Sequence, residues 1–139
     1  MRYMKIAFDE AKKALKTNDI PVGAVIVKNN KIISKACNKK EKCKNSLYHA
    51  EVLAINKACK RLKTKNLYGC ELYVTLEPCM MCYYAIAESR IEKIYYMINN
   101  DYNSTLNNRF TKIKKVQVVD NCEYLQIMKS FFKKLRDKF

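Results

Sequence analysis

Apolar residues recur along this chain in two alternating rhythms. Tyr3, Met4, Ala7, Phe8, Ala11, Ala14 and Leu15 follow the i, i+3, i+4 spacing of a helix with one buried stripe, and Asn18-Asp19 stops it. The β-branched run Pro21 to Val27 predicts a strand. Lys28-Asn29-Asn30-Lys31 predicts a turn, and Ile32 to Cys37 the returning strand of a hairpin. A polar, Lys-rich loop follows from Asn38 to Asn45. His49 to Leu62 reads as a second helix, with Leu53, Ala54, Ala58 and Leu62 on one face. Glu71 to Leu76 is a third strand. Pro78 suits the first turn of a helix, which predicts a third helix over Cys79 to Ser89. A fourth strand falls within Ile91 to Ile98 and a short fifth at Lys115 to Val119, separated by a polar, irregular stretch from Asn99 to Thr111. Tyr124, Leu125, Met128, Phe131, Phe132 and Leu135 mark a closing helix, with at least one of the two Phe expected in the core.

The order α-β-β-α-β-α-β-β-α predicts an α/β fold, a three-layer α/β/α sandwich around a mixed five-stranded sheet. With 139 residues, 49% apolar and 29% charged, the chain has the size and composition of one domain, residues 1–139. That composition excludes a disordered tail, a collagen-like repeat and a small disulfide scaffold. No apolar run approaches the ~18 residues of a membrane span, and the N-terminus lacks a signal-peptide core. Seven Cys, an odd number, point to a reducing, cytoplasmic compartment with thiols or metal ligands rather than disulfides.

Lys and Arg number 28 against 13 Asp and Glu, a net charge of +15. Such an excess suits a nucleic-acid partner. An equally weighted reading is compositional, since a chain rich in Lys, Asn and Ile is what AT-rich coding produces.

Two short motifs carry chemistry. His49-Ala50-Glu51 contains the only His. In Pro78-Cys79-Met80-Met81-Cys82, thiols three apart share a helix face, at a helix N-terminus that favours thiolates. Each alone is weak: a lone His is most often a satisfied core or surface group, and an isolated C-x-x-C is often two buried Cys. Together, one His and two Cys match a catalytic zinc site, with three protein ligands and an open fourth position. A closed structural site would need a fourth ligand. Cys37, Cys43, Cys59, Cys70 and Cys122 are available but none is spaced near the pair, and Glu51 would have no role. Residues 49 and 51 are separated by roughly 200° on a regular helix. Both can face one metal only if His49 sits at the helix entrance. Two helix N-termini are therefore expected to converge on the ion, with Glu51 placed for proton transfer.

These segments resemble the zinc-dependent cytidine deaminase-like superfamily, whose signature is H-x-E…P-C-x-x-C. Within it the chain is similar to the bacterial-type tRNA adenosine deaminases. The likeness runs through Ile20 to Val27, His49 to Ile55, and Leu72 to Cys82, with the Thr75-Leu76-Glu77-Pro78 lead-in particular to tRNA editors. It implies one Zn2+ per chain held by His49, Cys79 and Cys82, with Glu51 as proton carrier. It implies that Asn38 contacts the target nucleoside and that the Ala50 backbone N–H reaches the base. It also implies a homodimer that converts a wobble adenosine to inosine in a tRNA anticodon stem-loop. The chain departs from the pattern at Asn45-Ser46-Leu47-Tyr48, at Tyr83-Tyr84-Ala85 and in the Gly-free Asn99 to Thr105 segment. Glu77 reads as a hydrogen-bonded structural carboxylate. Two rivals remain open: a deaminase of a free nucleoside or base (cytidine, cytosine or guanine), and a non-catalytic zinc-containing RNA-binding module. Glu51 argues against the second.

Overall fold

The computed structural model describes residues 2–100, 112–118 and 120–138. Helix α1 spans Arg2–Ala14 and ends in a single 3-10 turn, Leu15–Thr17. Then come β1 (Gly23–Lys28), β2 (Lys31–Cys37), α2 (Ala50–Leu62), β3 (Cys70–Leu76), α3 (Met80–Glu88), β4 (Lys93–Ile98), β5 (Lys114–Gln117) and α4 (Cys122–Asp137). The expected element order is reproduced, with ends displaced by a residue or two. The polar stretch from residue 101 to 111, and Val119 at the expected end of the fifth strand, lie outside the described residues.

The five strands form one sheet in the order β2-β1-β3-β4-β5. β1 runs antiparallel to both neighbours, and β3, β4 and β5 run parallel. The β1–β2 hairpin closes through Asn29 and Asn30, with φ of 51° and 62°. Both stand in the left-handed region that a tight hairpin turn demands and that Asn tolerates.

Side chains alternate between the two faces of the sheet. Ala24, Ile26, Leu72, Val74 and Ile94 meet α2 and α3, whereas Val25, Val27, Tyr73 and Met97 meet α1 and α4. Small residues set the spacing. Ala50, Ala54 and Ala58 seat α2 against the sheet, and Ser34 Oγ donates to the Ala54 carbonyl at 2.7 Å. On the other face α1 also lies close to the sheet. A Cβ on Gly23 would run into the Ala7 carbonyl oxygen, so the strand can pass there only as glycine.

Helix α4 is held differently. Only Tyr124 and Met128 are buried, with the Tyr124 hydroxyl donating to the Pro21 carbonyl at 2.8 Å. The expectation that Phe131 or Phe132 fills the core is corrected: Phe131 is half-buried and Phe132 is 41% exposed. The last turns of α4 keep the apolar spacing but bury no residue in either core cluster. No helix among the described residues is long and apolar enough to cross a membrane.

Candidate metal centre

Helices α2 and α3 begin close together, each with a functional residue as its N-cap. His49 precedes α2 with φ −73° and ψ 151°, and Cys79 precedes α3 with φ −71° and ψ 175°. Both backbones are extended and neither side chain caps its own helix, so imidazole and thiol are free to turn elsewhere. Cys82 follows in the first turn of α3. The reason for His49 at the helix entrance is the one the sequence implied: helical geometry has not yet begun there.

The three side chains meet. One ligand atom from each of His49, Cys79 and Cys82 lies within 4.8 Å of the others, and among the described residues no other His, Cys, Asp or Glu cluster does this. His49 Nδ1 stands 3.6 Å from Cys79 Sγ and 3.5 Å from Cys82 Sγ. Bonds of about 2.3 Å to sulfur and 2.0–2.1 Å to nitrogen at a tetrahedral zinc would separate such donors by about 3.6 Å. The donor set and its spacing fit the metal. The other five cysteines are free thiols outside this group.

Protonation supports the same reading. A hydrogen bond with Cys82, aided by His49, pulls the Cys79 thiol down to about 4 against the opposing effect of burial. The same bond with Cys79, together with burial, pushes Cys82 up. A metal bound here would need both thiols deprotonated. A hydrogen bond with Cys79 raises His49. Glu51, in the first turn of α2 and 4% exposed, is pushed up to about 7, chiefly by burial.

Asn38, at the end of β2, is buried, and its Oδ1 accepts the Ala50 N–H at 2.7 Å. Ala50 is wholly buried and its N–H is therefore engaged by Asn38. The two substrate-contact candidates are thus bonded to each other, and the expectation that the Ala50 N–H reaches the base is corrected: it is already taken by Asn38. Between them runs the loop 39–48, whose ends are joined by the Lys39 N–H donating to the Tyr48 carbonyl at 2.9 Å.

Glu77 is the structural carboxylate the sequence suggested. Its oxygens accept the Tyr83 hydroxyl at 2.9 Å and the Asn100 N–H at 3.1 Å, while its own N–H donates to the Ile98 carbonyl at 2.9 Å. These bonds fix the turn that delivers Cys79. Thr75, which sequence reasoning gave no role, accepts the Gly23 N–H at 3.1 Å and ties β3 to β1 beside that turn. The sequence marked it only as the first residue of the lead-in to the Cys pair, not as a tie between strands. Beyond this turn opens a cleft of about 730 Å3 lined by Ile20, Leu76, Ile98, Phe132, Lys133 and Arg136.

Comparison with known proteins points to the deaminases. A family model described as MafB19-like deaminase matches residues 1–136. A tRNA-specific adenosine deaminase of Aquifex aeolicus (strain VF5) is 46% identical, over 97% of this chain and 95% of the relative. A solved structure from a study of A-to-I editing by tRNA:A34 deaminases at the wobble position of transfer RNA superposes with a TM-score of 0.79 and 30% identity, covering 84% of this chain and 97% of that one. A guanine deaminase from Bacillus subtilis gives 0.67 and 37% identity, covering 70% and 63%.

Proposed function

The chain belongs to the MafB19-like deaminase family, and from that premise we propose that it is a single zinc-dependent deaminase domain that converts the wobble adenosine of a tRNA anticodon loop to inosine. The observation that carries the chemistry is the cluster of one imidazole and two thiols at two helix N-termini, with a buried carboxyl beside it. The near-complete alignment with a tRNA-specific adenosine deaminase supports the choice of substrate.

His49, Cys79 and Cys82 would hold one zinc per chain. When bound, the metal supplies a water-derived nucleophile at neutral pH. Glu51 accepts the proton that water gives up and hands it to the purine ring nitrogen beside the reacting carbon. It then takes the proton of the hydroxyl now on that carbon and passes it to the amine, which leaves as ammonia while the carbon keeps the oxygen as a carbonyl. A buried carboxyl suits this shuttle because no bulk water competes for its proton. Asn38, anchored through Ala50, offers its amide NH2 to orient the base. The target base must be out of any stack to reach Glu51, so a loop nucleotide costs less than a paired one.

Two features support RNA rather than a small substrate. The lysines of the 39–44 loop stand between Asn38 and His49, and Lys133 and Arg136 border the cleft beside the Glu77–Cys79 turn. The protein would work in a reducing, cytoplasmic setting, consistent with seven free thiols. It would pair as a homodimer through α3, where Met80 and Tyr84, one turn apart, are each 49% exposed.

The second reading, deamination of a free base, is favoured by the likeness to a guanine deaminase. One experiment separates the two. Zinc-loaded protein is incubated with a tRNA carrying a wobble adenosine, with adenosine, and with guanine. Inosine in the tRNA, with little turnover of either small molecule, is expected. Efficient turnover of guanine and an unmodified tRNA would transfer the assignment to the base deaminases. Cys79→Ser and Cys82→Ser should each lose bound zinc by elemental analysis and activity with it.

A further inference from the structure

Asp19 closes the first helical segment, and its sequence position suggests nothing beyond a helix stop. The structure gives it more to do. It is 2% exposed, and its carboxylate gathers three hydrogen bonds from two parts of the fold. Oδ1 accepts the Glu41 N–H at 2.7 Å, and Oδ2 accepts the Lys42 N–H at 3.3 Å and the Thr17 hydroxyl at 2.7 Å. Its own N–H donates to the Ala14 carbonyl at 3.1 Å, so the carboxylate is carried by the end of α1 and its 3-10 turn.

The loop it grips starts and finishes at the metal centre. Asn38 and Ala50 are joined at its base, and inside it the Cys43 N–H donates to Lys39 and the Asn45 N–H to Lys40. Its middle carries Lys39, Lys40, Lys42 and Lys44 against the single Glu41. Four like charges on six residues with no regular secondary structure repel one another. A buried anion beneath their backbone both offsets that repulsion and fixes where the chain turns.

We propose that Asp19 is a positioning residue for RNA: it holds the Lys39–Lys44 loop as a fixed cationic arc against the substrate's phosphates. This rests on the tRNA reading above. Asp19 touches neither the metal ligands nor Glu51, so its effect falls on substrate capture rather than on the chemical step.

The test uses the zinc-loaded full chain and an anticodon stem-loop bearing the target adenosine. Asp19→Asn keeps the shape but puts an NH2 where one acceptor stood, facing a backbone N–H. The expected result is a KM raised about tenfold with kcat within about twofold, and a log–log salt slope of binding reduced by about 1–3, one unit for each phosphate the loop no longer engages. Hydrogen exchange at the Glu41 and Lys42 amides should quicken. In a background with Lys39, Lys40, Lys42 and Lys44 all changed to alanine, Asp19→Asn should raise KM no further, because its route of action is gone. A purely structural role would instead add its penalty there. Should Asp19→Asn fail to fold, Thr17→Val removes the hydroxyl's bonds to Asp19 and to the Ala14 carbonyl, leaves the carboxylate in place, and must raise KM with kcat kept. Unchanged KM despite faster loop exchange, a loss confined to kcat, or full additivity with the lysine changes overturns the inference alone. A wild-type protein with no salt-dependent binding of the stem-loop overturns the tRNA reading and this inference with it.

Discussion

Helices α2 and α4 are both amphipathic, yet one is sunk into the sheet and the other rides on it. α2 buries Ala50, Glu51, Ala54, Ile55 and Ala58 along its 13 residues, and α4 buries only Tyr124 and Met128 along its 16. Side-chain size decides the difference. Alanine lets the α2 backbone approach the strands, so its N-terminus is fixed where His49 and Glu51 are needed. The bulky apolar residues of α4 stand its backbone off, and its later turns leave Phe132 and Leu135 at the surface among Lys133, Lys134 and Arg136. Close seating serves the chemistry, which tolerates little displacement. The loosely seated helix offers an apolar and cationic surface of the kind a nucleic acid uses.

The most severe test of this contrast is at Glu51. Glu51→Gln keeps the size and burial of the side chain but cannot carry a proton. Turnover should fall by about 10²–10⁴-fold, the usual contribution of general acid–base catalysis. Bound zinc by elemental analysis and thermal stability should stay near wild type. A variant that still turns over normally would leave α2 as scaffold alone and remove Glu51 from the mechanism.

Helix α1 separates close seating from chemistry, because its backbone lies directly against β1 at Gly23 and it contributes no candidate site residue. In Gly23→Ala the new Cβ would press on the Ala7 carbonyl and the Ala11 nitrogen, both backbone atoms that cannot rotate away. A destabilisation of about 3 kcal/mol or more is expected, at the upper end of overpacking in a core. Denaturant unfolding measures it. Whatever folded protein remains should keep its kcat, since no proton-carrying or metal-holding group is moved. A selective loss of kcat in fully folded protein would tie α1 to the site.

The same contrast explains what could be read from the sequence. Helix and strand periods are local, so the element order was visible in residues such as Ala54 and Ala58 on one helix face, or the β-branched run from Pro21 to Val27. His49 and Glu51, only two residues apart, sufficed to place His49 outside the helix, as the extended backbone there shows. What stayed hidden depends on partners distant in sequence. Asp19 meets Glu41 and Lys42 only through the fold, as Thr75 meets Gly23. The burial of Phe131 and Phe132 was overestimated for a related reason. Helical spacing shows which face a residue is on but not how far the sheet extends beneath it.

That error points to the mildest prediction, on α4 itself. Phe131 and Phe132 pack edge to face, with ring centroids 5.4 Å apart. Consecutive helical positions diverge by about 100°, so the rings serve different surfaces. Phe132 lines the cleft beside Leu76 and Ile98, while Phe131 lines a separate groove with Leu15 and Asn18. Only the first adjoins the turn that delivers Cys79, and there an aromatic face can stack on a nucleotide flanking the target. Phe132→Ala should therefore raise KM for a tRNA substrate about fivefold, equivalent to about 1 kcal/mol of base stacking. Stability should change by no more than about 0.5 kcal/mol, as for an ordinary surface substitution. Phe131→Ala is the matched control: it removes the same edge-to-face packing but faces away from the cleft, so KM should hardly move. Equal effects of the two substitutions on KM would mean that the Phe pair acts by bracing α4. An effect at Phe132 alone would place the RNA in the cleft.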